Sequence, residues 1–156
     1  MILGLCIAMG VFTIDQLTKA WLFGKSVALI GDFFVIESVW NDGAAFSMLS
    51  GKLWLFIALT IPFFVLFPVL LSLKRFQHPL WRVGLGLCFG GMLGNFIDRI
   101  CFGAVRDLFY FKSINFAIFN IADACLCAGV VVLLVYIFFY MEKETNTHKE
   151  HNPKQQ

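Results

Sequence analysis

Charge is what this sequence has least of. Only 14% of its 156 residues are Asp, Glu, Lys or Arg, where a soluble domain carries about 25%. Too few polar side chains remain to cover a globule in water, and with 60% of the chain hydrophobic the composition is that of a membrane protein. A net charge of +2 is too small to argue for nucleic acid as a partner. A spanning helix uses about 20 apolar residues, so four spans take about half the chain. That excludes a soluble two-domain enzyme, a large transporter and a disordered tail protein. The five cysteines, Cys6, Cys88, Cys101, Cys125 and Cys127, form neither a CxxC pair nor a metal-ligand spacing and read as small buried apolar residues. No Lys or Arg precedes the first apolar run and no small-x-small cleavage site follows it, so a retained first span is expected rather than a removable leader.

Four hydrophobic runs are present, and the spans are predicted at residues 2–21, 53–73, 83–100 and 120–140. The second contains Pro62 and Pro68, which are expected to kink it. The third carries Gly86, Gly90 and Gly94 at four-residue spacing, a pattern that lets another helix approach closely. Between spans one and two, residues 24–50 hold strand-like runs between breakers, ending on the turn-forming Asn41-Asp42-Gly43. A small sheet at the membrane surface is expected there. Residues 74–82 read as a short basic loop, and 101–119 as an aromatic reversal held against the bilayer. Trp21, Trp40 and Trp81 are expected to mark interfaces. The fold expected is therefore an all-α membrane protein, four transmembrane helices with a small β-sheet subdomain, over residues 1–141. Residues 142–156 form a polar tail.

Parity supplies an argument that needs no orientation. In a four-span chain the end of helix one, the first loop, the end of helix three, the third connection and the start of helix four all face one side. Asp15, Lys19, Asn41, Asn95, Asp98, Arg99, Asp107, Asn120 and Asp123 can therefore meet at one depth. A charge inside a span costs roughly 2.5 to 3.5 kcal/mol on insertion scales, which makes these residues functional candidates. Which side they face is open, because Lys and Arg divide evenly between the two sides. Setting aside the intramembrane Lys19 and Arg99 tips the balance towards a cytoplasmic tail.

The chemistry is narrowed by elimination. The only histidines are His78 in the opposite loop and His148 and His151 in the tail, so a Ser-His or Cys-His device cannot be assembled on this side. No zinc motif occurs. A serine-lysine pair from Ser47 or Ser50 with Lys52 is conceivable, without a spacing that singles it out. Among the carboxylates, Asp107 and Asp123 flank the reversing connection. Two aspartates sharing a proton can activate water and protonate a carbonyl oxygen. Alternatively, Asp123 caps helix four, and Asp107 is a loop residue paired with Arg106 or Arg99. Asp15 and Lys19, at i and i+4, form an internal ion pair or also brace the site. Two other classes fit the same charged face: a small proton-coupled transporter using Asp15, Asp98, Asp107 and Asp123 as a relay, and a non-enzymatic membrane subunit.

Five blocks, taken together and in order, carry a resemblance: Asp15-Gln16-Leu17-Thr18-Lys19, Asn41-Asp42-Gly43-Ala44-Ala45-Phe46-Ser47, Gly94-Asn95-Phe96-Ile97-Asp98-Arg99, Val105-Arg106-Asp107 and Phe119-Asn120-Ile121-Ala122-Asp123. They resemble the lipoprotein signal peptidase (signal peptidase II) family over nearly the whole chain. The resemblance implies a bacterial inner-membrane aspartyl endopeptidase that needs no cofactor or metal. It would cut the signal peptide from a diacylglyceryl-modified prolipoprotein just before the lipidated cysteine, and globomycin-type cyclic peptides would block it. By the same match the catalytic pair falls on Asp107 and Asp123, the active face is periplasmic and both termini are cytoplasmic. Asp15, Lys19, Asn41, Gly43, Asn95, Asp98, Arg99 and Asn120 would bind substrate or support the site. Membrane lipids are expected as further partners, and a monomer as the working unit.

The sequence departs from the family pattern at Phe116-Ala117-Ile118-Phe119, where Trp-Pro-Ala-Phe is frequent, at Arg106, a position usually apolar, and at Cys125, where a small residue such as serine is common. Arg106 is expected to face the headgroups. Arg99 is expected to be held by Asp98 or Asp15, with its remaining donors free for the substrate.

Overall fold

A computed structural model describes residues 1–43, 50–73 and 78–141. Four helices are long and apolar enough to cross a membrane: α1 (Ile2–Leu22), α2 (Leu53–Ser72), α3 (Pro79–Phe102) and α4 (Ile121–Phe139). Three strands accompany them, β1 (Ser26–Ile30), β2 (Phe34–Asn41) and β3 (Val105–Tyr110), in one antiparallel sheet of order β1-β2-β3. The fold is thus the expected one, a four-helix membrane protein with a small sheet. The tail, the stretch containing Ser47 and the basic residues Lys74 and Arg75 lie outside the described residues.

Helix α3 is the centre of the bundle, and its glycines explain why. A β-carbon at Gly86 would sit 2.7 Å from the Gly4 carbonyl oxygen of α1, and one at Gly90 2.5 Å from that of Ala8. On the other side, a β-carbon at Gly91 would run into the Ala122 carbonyl oxygen of α4, and one at Gly84 into the Leu133 side chain. Backbones this close leave no room for a side chain at Gly86, Gly90 and Gly91. Helix α2 stands on the flank of α3, stacked ring on ring through Phe67 and Phe89 at 3.8 Å between centroids, and continues as one helix through Pro62 and Pro68.

Helix α3 starts at Pro79 rather than at residue 83. Proline is suited to the first helical position because its missing N–H would have no partner there, and the His78 side chain accepts the Leu80 N–H at 3.2 Å. Residues 79–82, read from the sequence as loop, are therefore the first turn of the helix. Trp81 is buried against Tyr136, while Trp21 and Trp40 are exposed. The cysteines also differ from expectation: Cys88 is buried and Cys125 partly so, but Cys6, Cys101 and Cys127 are exposed. Small thiols are tolerated on the outward faces of apolar helices as well as inside.

The third connection holds the main surprise. Gly103 ends α3 in the left-handed conformation (φ 76°), which glycine adopts without a steric cost. The chain then enters β3, which pairs with β2, so the expected reversal contains a third strand. After a short 3-10 turn at Lys112–Ile114 the chain returns, and Phe119 exchanges hydrogen bonds with Phe109 in both directions at 2.8 and 3.0 Å. This bridge delivers Asn120 and the start of α4 to the side of β3. Phe33, Phe34, Phe109, Phe111, Phe116 and Phe119 pack as a continuous set of rings beneath the turn.

Candidate active site

Asp107 lies in the middle of β3 and is 2% exposed. Its two carboxylate oxygens accept from two amides: Asn120 Nδ2 reaches Oδ1 at 2.6 Å and Asn41 Nδ2 reaches Oδ2 at 2.8 Å. Asp123 sits in the first turn of α4 and forms a reciprocal capping box with Asn120. Its Oδ2 accepts the Asn120 N–H at 3.1 Å, its own N–H donates to Asn120 Oδ1 at 3.0 Å, and Asn95 Nδ2 donates to its Oδ1 at 2.7 Å. The capping role considered from the sequence is therefore real. It leaves Asp123 free to do more, because the carboxylate also lines a cavity.

That cavity has a volume of about 440 Å³, within the range of small-ligand sites. Asn41, Gly43, Asn95, Arg99, Asp107 and Asp123 supply its polar wall, and Phe116–Phe119, Leu126 and Cys127 much of its apolar wall. Burial pushes the Asp107 carboxyl up to about 7, helped by the charge of Asp123 and opposed by the Asn41 and Asn120 hydrogen bonds and by Lys19. A carboxyl group held near neutrality can keep or give up a proton at ordinary pH.

The orientation of the three amides follows from what holds their oxygens. Asn41 Oδ1 accepts the Gly43 N–H at 3.0 Å, an Asx turn. Asn120 Oδ1 is the helix cap. Asn95 Oδ1 accepts from Lys19 Nζ and from Asn120 Nδ2, each at 3.1 Å. With every amide oxygen engaged by a donor, each NH2 group is directed at an acid.

Behind the cavity wall lies a buried ionic cluster. Lys19 pairs with Asp15 at 2.8 Å, the expected i,i+4 bridge, and with Asp98 at 3.2 Å. Asp15 Oδ1 also accepts the Ala122 N–H at 3.0 Å, tying α1 to the start of α4. Two expectations fail here. Arg106 does not face headgroups: its guanidinium binds Asp98 at 2.7 Å and Gln16 at 2.9 Å, with its side chain only 11% exposed. Arg99 is held by neither Asp98 nor Asp15. It donates to the Gly43 carbonyl at 3.0 Å and lies 4.4 Å from the Phe56 ring centroid. The reason is directional. Side chains alternate across a strand, so with Asp107 turned to the cavity, Arg106 is turned to α3 and claims Asp98. Arg99, adjacent to Asp98 on α3, is left facing the cavity.

All ten sequence candidates thus converge on one end of the bundle, in two layers. Asn41, Gly43, Asn95, Arg99, Asp107 and Asp123 line the cavity, while Asp15, Lys19, Asp98 and Asn120 stand behind it. Sequence reasoning missed Gln16, whose amide donates to Asp15, Asp98 and the Gly94 carbonyl, each at 3.2 Å. Its place between Asp15 and Lys19 in one polar block was the available signal. It also missed the wall at Leu126 and Cys127. Among the described residues, no three His, Cys, Asp or Glu side chains are grouped to hold a metal ion.

Comparison with known proteins gives a consistent result. The family model described as Signal peptidase (SPase) II matches residues 7–139. A lipoprotein signal peptidase of Latilactobacillus sakei is 40% identical over 94% of this chain and 96% of its own length. One from Symbiobacterium thermophilum is 38% identical over 92% of this chain and 99% of its own. A bacterial membrane enzyme structure determined by the in meso method at 2.3 Å resolution superposes with a TM-score of 0.79 at 31% identity, covering 98% of this chain and 92% of that one. On sequence and architecture together, this chain is a multi-pass membrane peptidase and belongs to the signal peptidase II family.

Proposed function

We propose that the chain is an aspartic endopeptidase that removes the signal peptide from diacylglyceryl-modified prolipoproteins, cutting just before the lipidated cysteine, with Asp107 and Asp123 as the catalytic pair. The observation that carries the reading is that both carboxylates line one cavity and interact electrostatically, each steadied by amide donors. Family membership supports the substrate class.

In this mechanism the pair shares one proton. The protonated member donates to the scissile carbonyl oxygen. The ionised member accepts a proton from water as the water oxygen attacks the carbonyl carbon. The tetrahedral intermediate collapses when the leaving nitrogen takes that proton and a hydroxyl proton of the intermediate returns to the carboxylate that gave the first one, which restores the shared proton. The products are a new carboxyl end on the signal peptide and a free amine on the lipidated cysteine. Arg99, Asn41 and Gly43 on the cavity rim orient the substrate backbone. The acyl chains hold the cysteine at the interface, so that proximity lowers the barrier. The active end faces the periplasm, both termini are cytoplasmic, and globomycin-type peptides occupy the same cavity.

The test is incubation of the purified protein in detergent with a lipidated and an unlipidated precursor, following signal-peptide loss by mass. Cleavage of the lipidated form alone is expected. Asp107→Asn and Asp123→Asn should each lower turnover at least about a thousandfold, as for groups that act as a unit. Normal turnover by either variant would remove the assignment, and assembly loss without any cleavage in the parent protein would favour a structural subunit.

A further inference from the structure

The buried cluster behind the cavity balances charge in a way the reaction described above does not use. Lys19 has three ammonium protons and three acceptors: Asp15 at 2.8 Å, Asn95 at 3.1 Å and Asp98 at 3.2 Å. Asp98 is 0% exposed, and a share in one lysine is a poor match for a buried carboxylate. Arg106 supplies the rest: Nη2 to Oδ1 at 2.7 Å, Nε to Oδ2 at 3.3 Å, and its backbone N–H to Oδ2 at 3.0 Å. Two acids and two bases then sum to zero. The same contacts fasten β3 to the end of α3 at the residue next to Asp107.

We propose that Arg106 is a positioning residue for the acid pair: it pins β3 so that Asp107 points into the cavity, and it neutralises Asp98 so that Lys19 can hold Asn95 against Asp123. The inference rests on Asp107 and Asp123 being the reacting groups. The charges around that pair are Asp15 and Lys19 from α1, Asp98 and Arg99 from α3 and Arg106 from β3, while α2 contributes none. Removing Arg106 leaves one uncompensated negative charge in a poorly solvated cluster, and the pair next to it binds its proton more tightly.

The experiment is the pH dependence of kcat and KM for cleavage of a lipidated precursor by the full chain in detergent. Arg106→Val should lower kcat about tenfold to a hundredfold through misplacement of Asp107, leave KM unchanged, and move the acid limb up by about one pH unit. Asp98→Asn, which leaves the cluster one positive charge in excess, should move the limb down. The double variant D98N/R106V restores neutrality and should bring the limb back. Arg106→Lys keeps the charge without the fork of donors, so the limb stays while kcat falls. If Arg106→Val does not fold, Asp98→Asn and the double variant decide the matter. An acid limb that moves in neither direction, or activity that only tracks the amount of folded protein, overturns the inference. Turnover by Asp107→Asn or Asp123→Asn would instead remove the catalytic reading beneath it. Inactive Asn variants with an unmoved limb at Arg106 and Asp98 would remove this inference alone.

Discussion

At the scale of single residues, Asn120 shows how much one side chain can be asked to do. It is wholly buried, caps α4 through its oxygen and steadies Asp107 through its nitrogen. Asn120→Ala should therefore have two separable effects. Loss of the cap costs about 1 kcal/mol of stability, read as a lower unfolding temperature in detergent, and loss of the amide donor lowers turnover. Asn120→Asp keeps an acceptor for the Asp123 N–H and removes the donor, setting a third acid beside the pair. It is expected to retain the cap and lose activity, and a fully active Asn120→Asp protein would show that the amide donor to Asp107 has no role in turnover. The candidates themselves were legible in the sequence because charge and amide groups stand out in apolar runs. Their partners were not: which acid Arg106 takes depends on the face of a strand that the sequence did not reveal.

At the scale of elements, α3 is built to be approached from two sides. A β-carbon at Gly91 meets a backbone carbonyl of α4, and one at Gly90 a backbone carbonyl of α1, neither of which can turn aside as a side chain could. Gly91→Val or Gly90→Val should lower stability by about 1 to 3 kcal/mol or more, with turnover lost because α1 and α4 carry Lys19 and Asp123. Gly10 on α1 has nothing within 4 Å of its would-be β-carbon. Gly10→Ala should be neutral or stabilising by up to about 1 kcal/mol. Thermal unfolding of the three variants side by side checks the contrast. The glycine spacing announced a close helix contact, and the structure bears that out. It did not announce β3, since Val105–Tyr110 has Arg106 and Asp107 side by side and three apolar residues after them, without the alternation that marks a half-buried strand.

At the scale of the whole molecule, pH connects stability to chemistry. Asp107 is held up to about 7 in the folded chain, chiefly by burial, while in an unfolded chain an aspartate titrates near its ordinary value of about 3.9. A folded-state value above the unfolded one means that the folded protein binds the proton better. The resulting stability is complete below about 4 and is lost as pH rises through 7. Asp107→Asn removes this dependence. Its unfolding temperature should rise relative to the parent protein between pH 5 and pH 8, measured by a thermal shift in detergent. A constant difference across that range would mean that Asp107 is not held up by its surroundings.

By itself the sequence determined that the chain crosses a membrane four times, that its polar groups gather at one end, and that its motif set resembles one peptidase family. Those properties are carried by composition, by the spacing of apolar runs and by parity, which hold whatever the packing. Only the tertiary structure decided which groups touch. The bridge from Phe109 to Phe119 folds the third connection back on itself and sets Asn120 between the two acids that flank it. The alternation of β3 sends Asp107 to the cavity and Arg106 to Asp98. Contacts of this kind depend on strand register and helix approach, quantities set by long-range packing that no local stretch of the chain encodes.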